Sequence, residues 1–280
     1  MISPIKYIAS SGKEYDLVSN GVVHCSANYY DWHWSAVGTV LQYGVRIANF
    51  SKQPAEYDAE LFIYGTPEAR KRLLTALHED FENDLRNKTP GRLVWGDHYI
   101  DCYVTQSQSS PAQTWDYISN KIHIYVPYPF WVQEHKVSLP VSQETQSTYL
   151  DYIYDYTYDY AAPTVGTKVV KSDFAFDSEF QMIIYGPAVN PRVTINDYPY
   201  VLYATIPQGA YVVIDSKTKS ITQHNTNGTT SNLFNFRNKA TSIFQKIPGG
   251  DLSITWDASF GVDITIFREK SEPDFEEVVE

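Results

Sequence analysis

One segment of the chain has the apolar spacing of an amphipathic helix. The apolar residues that recur every four positions are Leu73, Leu77, Phe81 and Leu85. Charged side chains fill the positions between them, which is the pattern of a helix with one buried stripe. Thr66 can cap this segment and Pro67 suits the first helical position. The pattern predicts a single helix over 67–85 that lies on a sheet.

Outside this segment, most apolar stretches of the chain alternate apolar and polar residues with a period of two, which is typical of half-buried strands. These stretches are 61–64, 99–105, 121–126, 180–185, 192–195, 210–214, 252–256 and 262–267. Turn signals such as Gly186-Pro187 and Asn227-Gly228 separate them. Short strands at this spacing, with no helices between them, favour an antiparallel β-sandwich.

The composition fits this mainly β interpretation. The chain has 280 residues, which predicts two domains, with one large β domain as the alternative. Its 23 Tyr and 13 Phe favour strands, because aromatic side chains suit a half-buried pleated surface. A net charge of -11 argues against a protein that holds nucleic acid and against a polybasic membrane site.

The stretch between the two halves is unusual. No Lys or Arg occurs in 137–167, and five tyrosines fall on every second residue within it: Tyr152, Tyr154, Tyr156, Tyr158 and Tyr160. If the stretch is extended, the five rings share one face. It could be an interdomain linker, an arm that packs on a neighbouring subunit, or a surface that stacks on sugars. We therefore predict domains at 1–140 and 168–280, a Tyr/Asp-rich linker or arm at 141–167, and a solvated acidic C-terminal tail.

The sequence contains no phosphate-binding loop, dinucleotide fingerprint or nucleophile elbow. His24, Cys25 and His33 come nearest to a metal-ligand cluster, but a strand edge and an aromatic loop explain them better. Asp97 beside His98 is the place to look for catalysis, yet Trp-Gly-Asp-His reads more simply as a hairpin turn. We predict no catalytic, metal-binding or cofactor-binding residue, no cofactor and no enzymatic activity.

Two further features bear on where the protein is made. The first residues lack the charged start and apolar core of a signal peptide, and no stretch approaches the ~18 apolar residues of a membrane span. We expect folding in a cytoplasm and no membrane anchor. Cys102 alternates with Ile100 and Val104, so we expect its thiol to be buried in a strand rather than redox-active.

Several stretches together resemble the distal tail proteins of long-tailed bacteriophages. In the first half they are 44–50, the predicted helix and 91–95; in the second half they are 186–196, 209–221 and 244–256. The last of these, which contains Pro248-Gly249-Gly250, is the most telling match. Each stretch also makes physical sense as a turn or a strand of a β protein, and it is their order along the chain that carries the resemblance.

The resemblance implies an N-terminal β domain that forms a ring, usually a hexamer, between the tail tube and the baseplate or tail-tip proteins. It also implies a galectin-like antiparallel sandwich at the C-terminus. The protein would belong to the tail tip of the virion and be assembled in the host bacterial cytoplasm. Viral DNA would pass through the ring without specific binding.

Aromatic residues outside the predicted strands are our candidates for the surface between subunits. They are Tyr29, Tyr30, Trp32, Trp34, Tyr152, Tyr154, Tyr156, Tyr158 and Tyr160. The main alternative from another class is a carbohydrate-binding module or a glycan-acting β-sandwich protein. Exposed coplanar aromatic rings near Asn and Asp would favour that alternative, and buried tryptophans would weaken it.

Overall fold

A computed structural model describes residues 5–19, 21–25, 28–111, 116–141 and 166–274. The chain divides into two compact units. The first comprises Met1–Gln133 together with Glu269–Glu280, and the second comprises Glu134–Arg268. The domain limits expected from the sequence, 1–140 and 168–280, remain a prediction.

The first unit is built from antiparallel strands and a helix. Its strands are β1 (Ile5–Ile8), β2 (Glu14–Asp16), β3 (Val22–Cys25), β4 (Trp34–Val40), β5 (Val45–Lys52), β6 (Ala55–Tyr64), β7 (Gly91–Trp95), β8 (His98–Pro111), β9 (Tyr117–Val126) and the start of β10 (Trp131–Leu139). Strands β3, β6, β9 and β8 pair in that order, and β8 continues through β7 and β1 to β2. All of these pairs are antiparallel, as the alternating pattern predicted.

Helix α1 spans Pro67–Asn87 and is the only α-helix in the described part of the chain. Thr66 accepts a hydrogen bond from the backbone N–H of Ala69, as an N-cap does. The helix ends two residues beyond the predicted limit because Lys88 adopts a left-handed conformation and its N–H turns back to Asp84 and Leu85. The predicted helix and its cap are confirmed.

A buried carboxylate fastens the helix to the first hairpin. Asp84 is fully buried and accepts hydrogen bonds from the Tyr7 hydroxyl at 2.5 Å and from the Ser10 backbone N–H at 3.0 Å. Gly91 lies against both Tyr7 and Asp84, with no room for a Cβ. Since a buried charge must be hydrogen-bonded to be tolerated, this contact fixes the position of the helix end.

The second unit is an antiparallel β-sandwich, as predicted. Its strands are β11 (Gly166–Val170), β12 (Glu179–Tyr185), β13 (Ala188–Val189), β14 (Arg192–Ile195), β15 (Tyr198–Val201), β16 (Thr205–Ile206), β17 (Tyr211–Asp215), β18 (Ser220–His224), β19 (Thr230–Asn232), β20 (Leu252–Trp256) and β21 (Val262–Lys270), with a short 3-10 helix at Phe234–Phe236. One sheet runs β19-β18-β17-β12-β21 and the other β11-β20-β14-β15. The alternate apolar residues of both sheets form a closed core.

The start of the acidic C-terminal tail is partly covered, with 269–273 half-buried or buried and Asp274 exposed. Strand β21 continues to Lys270, Glu269 accepts a 2.8 Å hydrogen bond from the Tyr128 hydroxyl, and Pro273 is buried. The expected solvated tail therefore does not describe 269–273, which belong to the first unit, whereas Asp274 is exposed. The remaining acidic residues lie outside the described part of the chain.

Within the described residues, no helix combines the length and the apolar character that crossing a bilayer requires.

Candidate subunit interface

Strands β4 and β5 pair only with each other and form a two-stranded hairpin, which we call the ribbon (34–52). Its pairing runs from Trp34 opposite Lys52 to Val40 opposite Val45. Nearly every residue of the ribbon is exposed, in contrast to the half-buried strands around it. A two-stranded hairpin is marginally stable in water when nothing packs on it, so the ribbon needs a covering surface.

A β-bulge sorts the ribbon side chains onto two faces. Asn49 lies opposite Val37, but the next partner of β4, Gly38, lies opposite Ile47. The extra residue on β5 places Ile47 and Phe50 on the same face, although an odd spacing would otherwise put them on opposite faces. Gly38 is required there, since a Cβ would overlap the carbonyl of Arg46.

The result is an amphipathic ribbon. Its apolar face carries Trp34, Ala36, Val40, Val45, Ile47 and Phe50, whereas Ser35, Thr39, Arg46, Asn49 and Ser51 lie on the other face with Val37. The apolar side chains near the tip are largely uncovered, with Val40 at 79% and Tyr43 at 87% exposure. The alternating pattern did not predict these two strands, because the bulge breaks the period of two that identifies a strand.

The predicted interface residues of the 28–34 loop take two different positions. Tyr29 is 1% exposed; its ring lies among Tyr57, Trp95 and Trp131, and its hydroxyl is 2.9 Å from His24 Nε2. Tyr30 is half-buried, edge-on to the ring of Trp95. Tyr29 therefore belongs to the core of its own unit and fixes the start of the loop.

Trp32 and Trp34, the other two candidates of this loop, are exposed. Trp34 begins the ribbon and lies edge-on to Phe130, next to the Lys52 ammonium group. Trp32 is 54% exposed and lines a cavity in the first unit. The five tyrosines Tyr152, Tyr154, Tyr156, Tyr158 and Tyr160 lie outside the described residues, so their part in an interface remains a prediction.

The cavity has a volume of about 850 Å³ and both apolar and acidic walls. Trp32, Pro54 and Pro129 supply apolar surface, while Asp31, Glu56 and Asp58 supply carboxylates. This is a recess of the size that takes several side chains or a small ligand.

Lys52 is the lysine of this cavity wall, and other groups already hold its ammonium. Its Nζ donates a 2.5 Å hydrogen bond to the carbonyl of Pro129 and lies 4.3 Å from the centre of the Phe130 ring. Burial lowers the pKa of Lys52 to about 8. The ammonium group of Lys52 therefore does little to neutralise the carboxylates of the cavity.

Asp97 and His98 are in the predicted hairpin turn between β7 and β8, where Trp95 pairs with His98. His98 is buried, with Nδ1 2.7 Å from Asp97 and Nε2 3.5 Å from Asp274. Burial of Asp97 acts to raise its pKa, but the hydrogen bond from Gln133 and the charge of His98 outweigh it, so the pKa falls. The Asp97 carboxylate in this turn is therefore ionised. The ring nitrogens of His98 face the carboxylates of Asp97 and Asp274 rather than a nucleophile.

Other candidate chemistry is limited in the parts of the chain that the structure describes. Cys102 is buried and free, and burial raises the pKa of its thiol to about 12, which confirms the expected buried thiol. Among the same residues, no group of three or more His, Cys, Asp or Glu side chains is arranged to hold a metal ion.

No known family profile and no curated protein matches the chain by sequence. Solved structures do match its fold. The Dit protein of phage SPP1, described as a paradigm of the hub adsorption apparatus in phages that infect Gram-positive bacteria, superimposes with a TM-score of 0.60 at 9% identity, over 96% of this chain and 100% of that chain.

A chain of the phage P2 baseplate in its activated conformation with Ca matches with a TM-score of 0.65 at 15% identity, over 98% of this chain and 100% of that chain. A chain of the same baseplate with Sr gives a TM-score of 0.64 at 15% identity, with the same coverage. These matches cover almost the whole chain and confirm the fold that the sequence resemblance implied: this chain has the fold of the phage distal tail protein.

Proposed function

We propose that this protein is a structural, non-enzymatic component of the distal end of a phage tail. Copies of it form a closed ring, six being the number that the resemblance implies, and the ring joins the tail tube to baseplate or tail-tip proteins. It is assembled in the host cytoplasm and becomes part of the virion tail tip.

The observation that carries this proposal is the uncovered apolar face of the ribbon. Val40, Val45, Ile47 and Phe50 are each more than half exposed on one face of a hairpin that pairs with no other strand in the described chain. Exposed apolar surface of this kind marks an interaction site or a liability for aggregation. A hairpin that packs on a neighbouring subunit resolves both the exposure and the marginal stability.

The solved structures support the same role. The matched SPP1 protein is described as part of a hub adsorption apparatus, and the other matched chains come from a baseplate. A joint of this kind needs identical subunits whose contacts close around an axis, since head-to-tail contacts that do not close grow into fibres. The net charge of -11 suits a channel through which DNA passes without binding.

Native mass spectrometry of the full-length protein at micromolar concentration tests self-assembly, with negative-stain images of the same sample. We expect a closed ring for the wild type and a monomer for the ribbon variant Ile47→Ser/Phe50→Ser. The control is Val169→Ser, which removes an apolar side chain of comparable exposure from the second unit. A wild-type protein that stays monomeric in both measurements would refute the proposal.

One observation favours the alternative of a glycan-binding protein. The exposed Trp32 ring lies in the same cavity as Asn28 and Asp31, which is a combination that sugar sites use. Against it, Trp131 is fully buried. Retention of the protein on host cell-wall glycan that is lost in Trp32→Ala, together with a monomeric wild type, would favour this alternative over the ring.

A further inference from the structure

We infer that the ribbon tip (40–46) of one copy inserts into the acidic cavity of the next copy, where Arg46 pairs with Glu56 and Asp58. This inference rests on the proposed self-assembly and names the two surfaces that meet. The partner is a second copy of this chain.

The ribbon tip offers apolar side chains and one positive charge. Val40, Leu41, Tyr43 and Val45 are all more than half exposed. Between Trp32 and Ala55 the sequence contains no Asp or Glu. Arg46 is exposed, and within the described residues it makes no ion pair. The tip is therefore cationic in a chain that is strongly acidic overall.

The cavity offers the complementary surface. Trp32, Pro54 and Pro129 form apolar wall, and a volume of about 850 Å³ accommodates a hairpin tip with its large side chains. Because a tip that enters a recess touches walls on all sides, residues from both faces of the ribbon are used. The apolar face meets the indole and prolines, and Arg46 on the other face meets carboxylates.

The carboxylates retain negative charge for a partner. The side chain of Asp58 is 90% exposed. His123 lies 2.7 Å from Asp58 through Nδ1 and 3.6 Å from Glu56 through Nε2. One histidine faces two carboxylates, so at least one negative charge stays unbalanced even when the ring is protonated. An arginine presents several donors in a planar fork and can bind such a pair.

Arg46 cannot reach the cavity of its own copy while the ribbon is extended. Lys52, at the base of the ribbon, lies six positions after Arg46, which corresponds to about 20 Å of strand. The arginine side chain is far shorter than this distance. The two complementary surfaces of one chain can therefore pair only between copies. A contact between different surfaces is the head-to-tail type, which forms a ring when the rotation between copies closes.

A charge-swap experiment on the full-length protein tests the pairing. Arg46→Glu and Asp58→Lys should each shift the ring to monomer and raise the concentration needed for half-assembly by roughly tenfold or more. Mixing the two variants should restore rings with alternating copies, because each ribbon then faces a complementary cavity. The matched controls Arg192→Glu and Asp173→Lys reverse exposed charges in the second unit and should assemble as the wild type does.

The outcomes separate this inference from the proposed function. A wild type that never assembles removes the proposed ring and this contact with it. A wild-type ring that persists unchanged in Arg46→Glu leaves the ring standing and overturns the pairing. Single variants that are monomeric and remain so after mixing also overturn it, since restored charge complementarity fails to restore assembly.

Discussion

Two antiparallel hairpins of the molecule, β17–β18 and the ribbon, are both rich in β-branched residues but lie in opposite environments. In the β17–β18 hairpin of the second unit, one face is buried, with Val212, Ile214 and Ile221 almost completely enclosed. The ribbon also carries β-branched and aromatic residues, most of them on one face, yet almost none is covered. The difference teaches that strand propensity sets the local conformation, while burial depends on a partner surface that the ribbon lacks within the first unit.

The largest expected effect comes from making the same substitution in both hairpins. Ile214→Ala should lower the free energy of unfolding by about 4 kcal/mol, because it leaves a cavity in a closed core. Ile47→Ala should change the unfolding free energy of the monomer by less than about 0.5 kcal/mol. Urea unfolding checks this, at dilutions where the midpoint no longer depends on protein concentration.

The main effect of Ile47→Ala should be on assembly rather than on folding. It should raise the protein concentration below which the ring dissociates, and native mass spectrometry measures this concentration. If Ile47→Ala destabilises the dilute monomer as much as Ile214→Ala does, the ribbon is part of a folded core and our contrast between the hairpins is wrong.

A somewhat smaller effect is expected from acid, and it should act on the unit that carries the ribbon. Burial lowers the pKa of His24 to about 4, below its ordinary value of 6.5. Between these values the unfolded chain binds a proton that the folded chain does not. Stability should therefore be unaffected by His24 above about pH 6.5 and fall by up to about 3 kcal/mol as the pH drops towards 4.

Urea unfolding between pH 7 and pH 4 measures this loss, and His24→Asn serves as the control because it cannot titrate. The unfolding free energy of each protein is plotted against pH, and the difference between the two slopes reports the titration of His24 alone. Equal slopes would show that the Tyr29 core, from which the loop to the ribbon starts, does not depend on a neutral histidine.

The smallest expected effect on folding comes from Gly38→Ala. A Cβ at this position overlaps the Arg46 carbonyl, so the bulge must open. Ile47 and Phe50 then no longer lie on the same face of the ribbon. The unfolding free energy of the monomer should change by less than about 0.5 kcal/mol, because the ribbon contributes little to it. Assembly should nevertheless be lost, which size-exclusion chromatography with light scattering detects.

Gly12→Ala is a control for Gly38→Ala. Gly12 has a positive φ but open space around its Cβ position, so this substitution tests backbone strain without an overlap. Normal assembly of Gly38→Ala would show that the register of the ribbon does not matter for the contact.

Much of the fold could be predicted from the sequence because local signals and tertiary packing agree there. The helix was predicted from its cap and apolar stripe, and its start at Pro67 is confirmed. The predicted strand at 210–214 is confirmed as β17, and a polar turn follows it in which Asp215 accepts hydrogen bonds from the N–H groups of Lys217 and Thr218. In such segments the side-chain period alone decides which face is buried.

The candidate interface was only partly predictable. An aromatic cluster at 28–34 was recognised, but spacing alone could not show that Tyr29 turns into the core while Trp32 remains exposed. The ribbon itself was missed as a pair of strands, because one extra residue on β5 shifts the parity of its apolar positions. The cavity joins residues from distant parts of the chain, such as Asp31 and Pro129, and no local pattern predicts such a meeting.

The return of the chain to the first unit after Arg268 has a consequence for synthesis in the cell. All residues of the second unit leave the ribosome before Glu269, Pro273 and Asp274 do. The first unit, although it begins the chain, lacks the Tyr128–Glu269 hydrogen bond until those residues emerge. During translation, the sandwich can therefore reach its final contacts earlier than the unit that precedes it, reversing the usual order in which domains are completed.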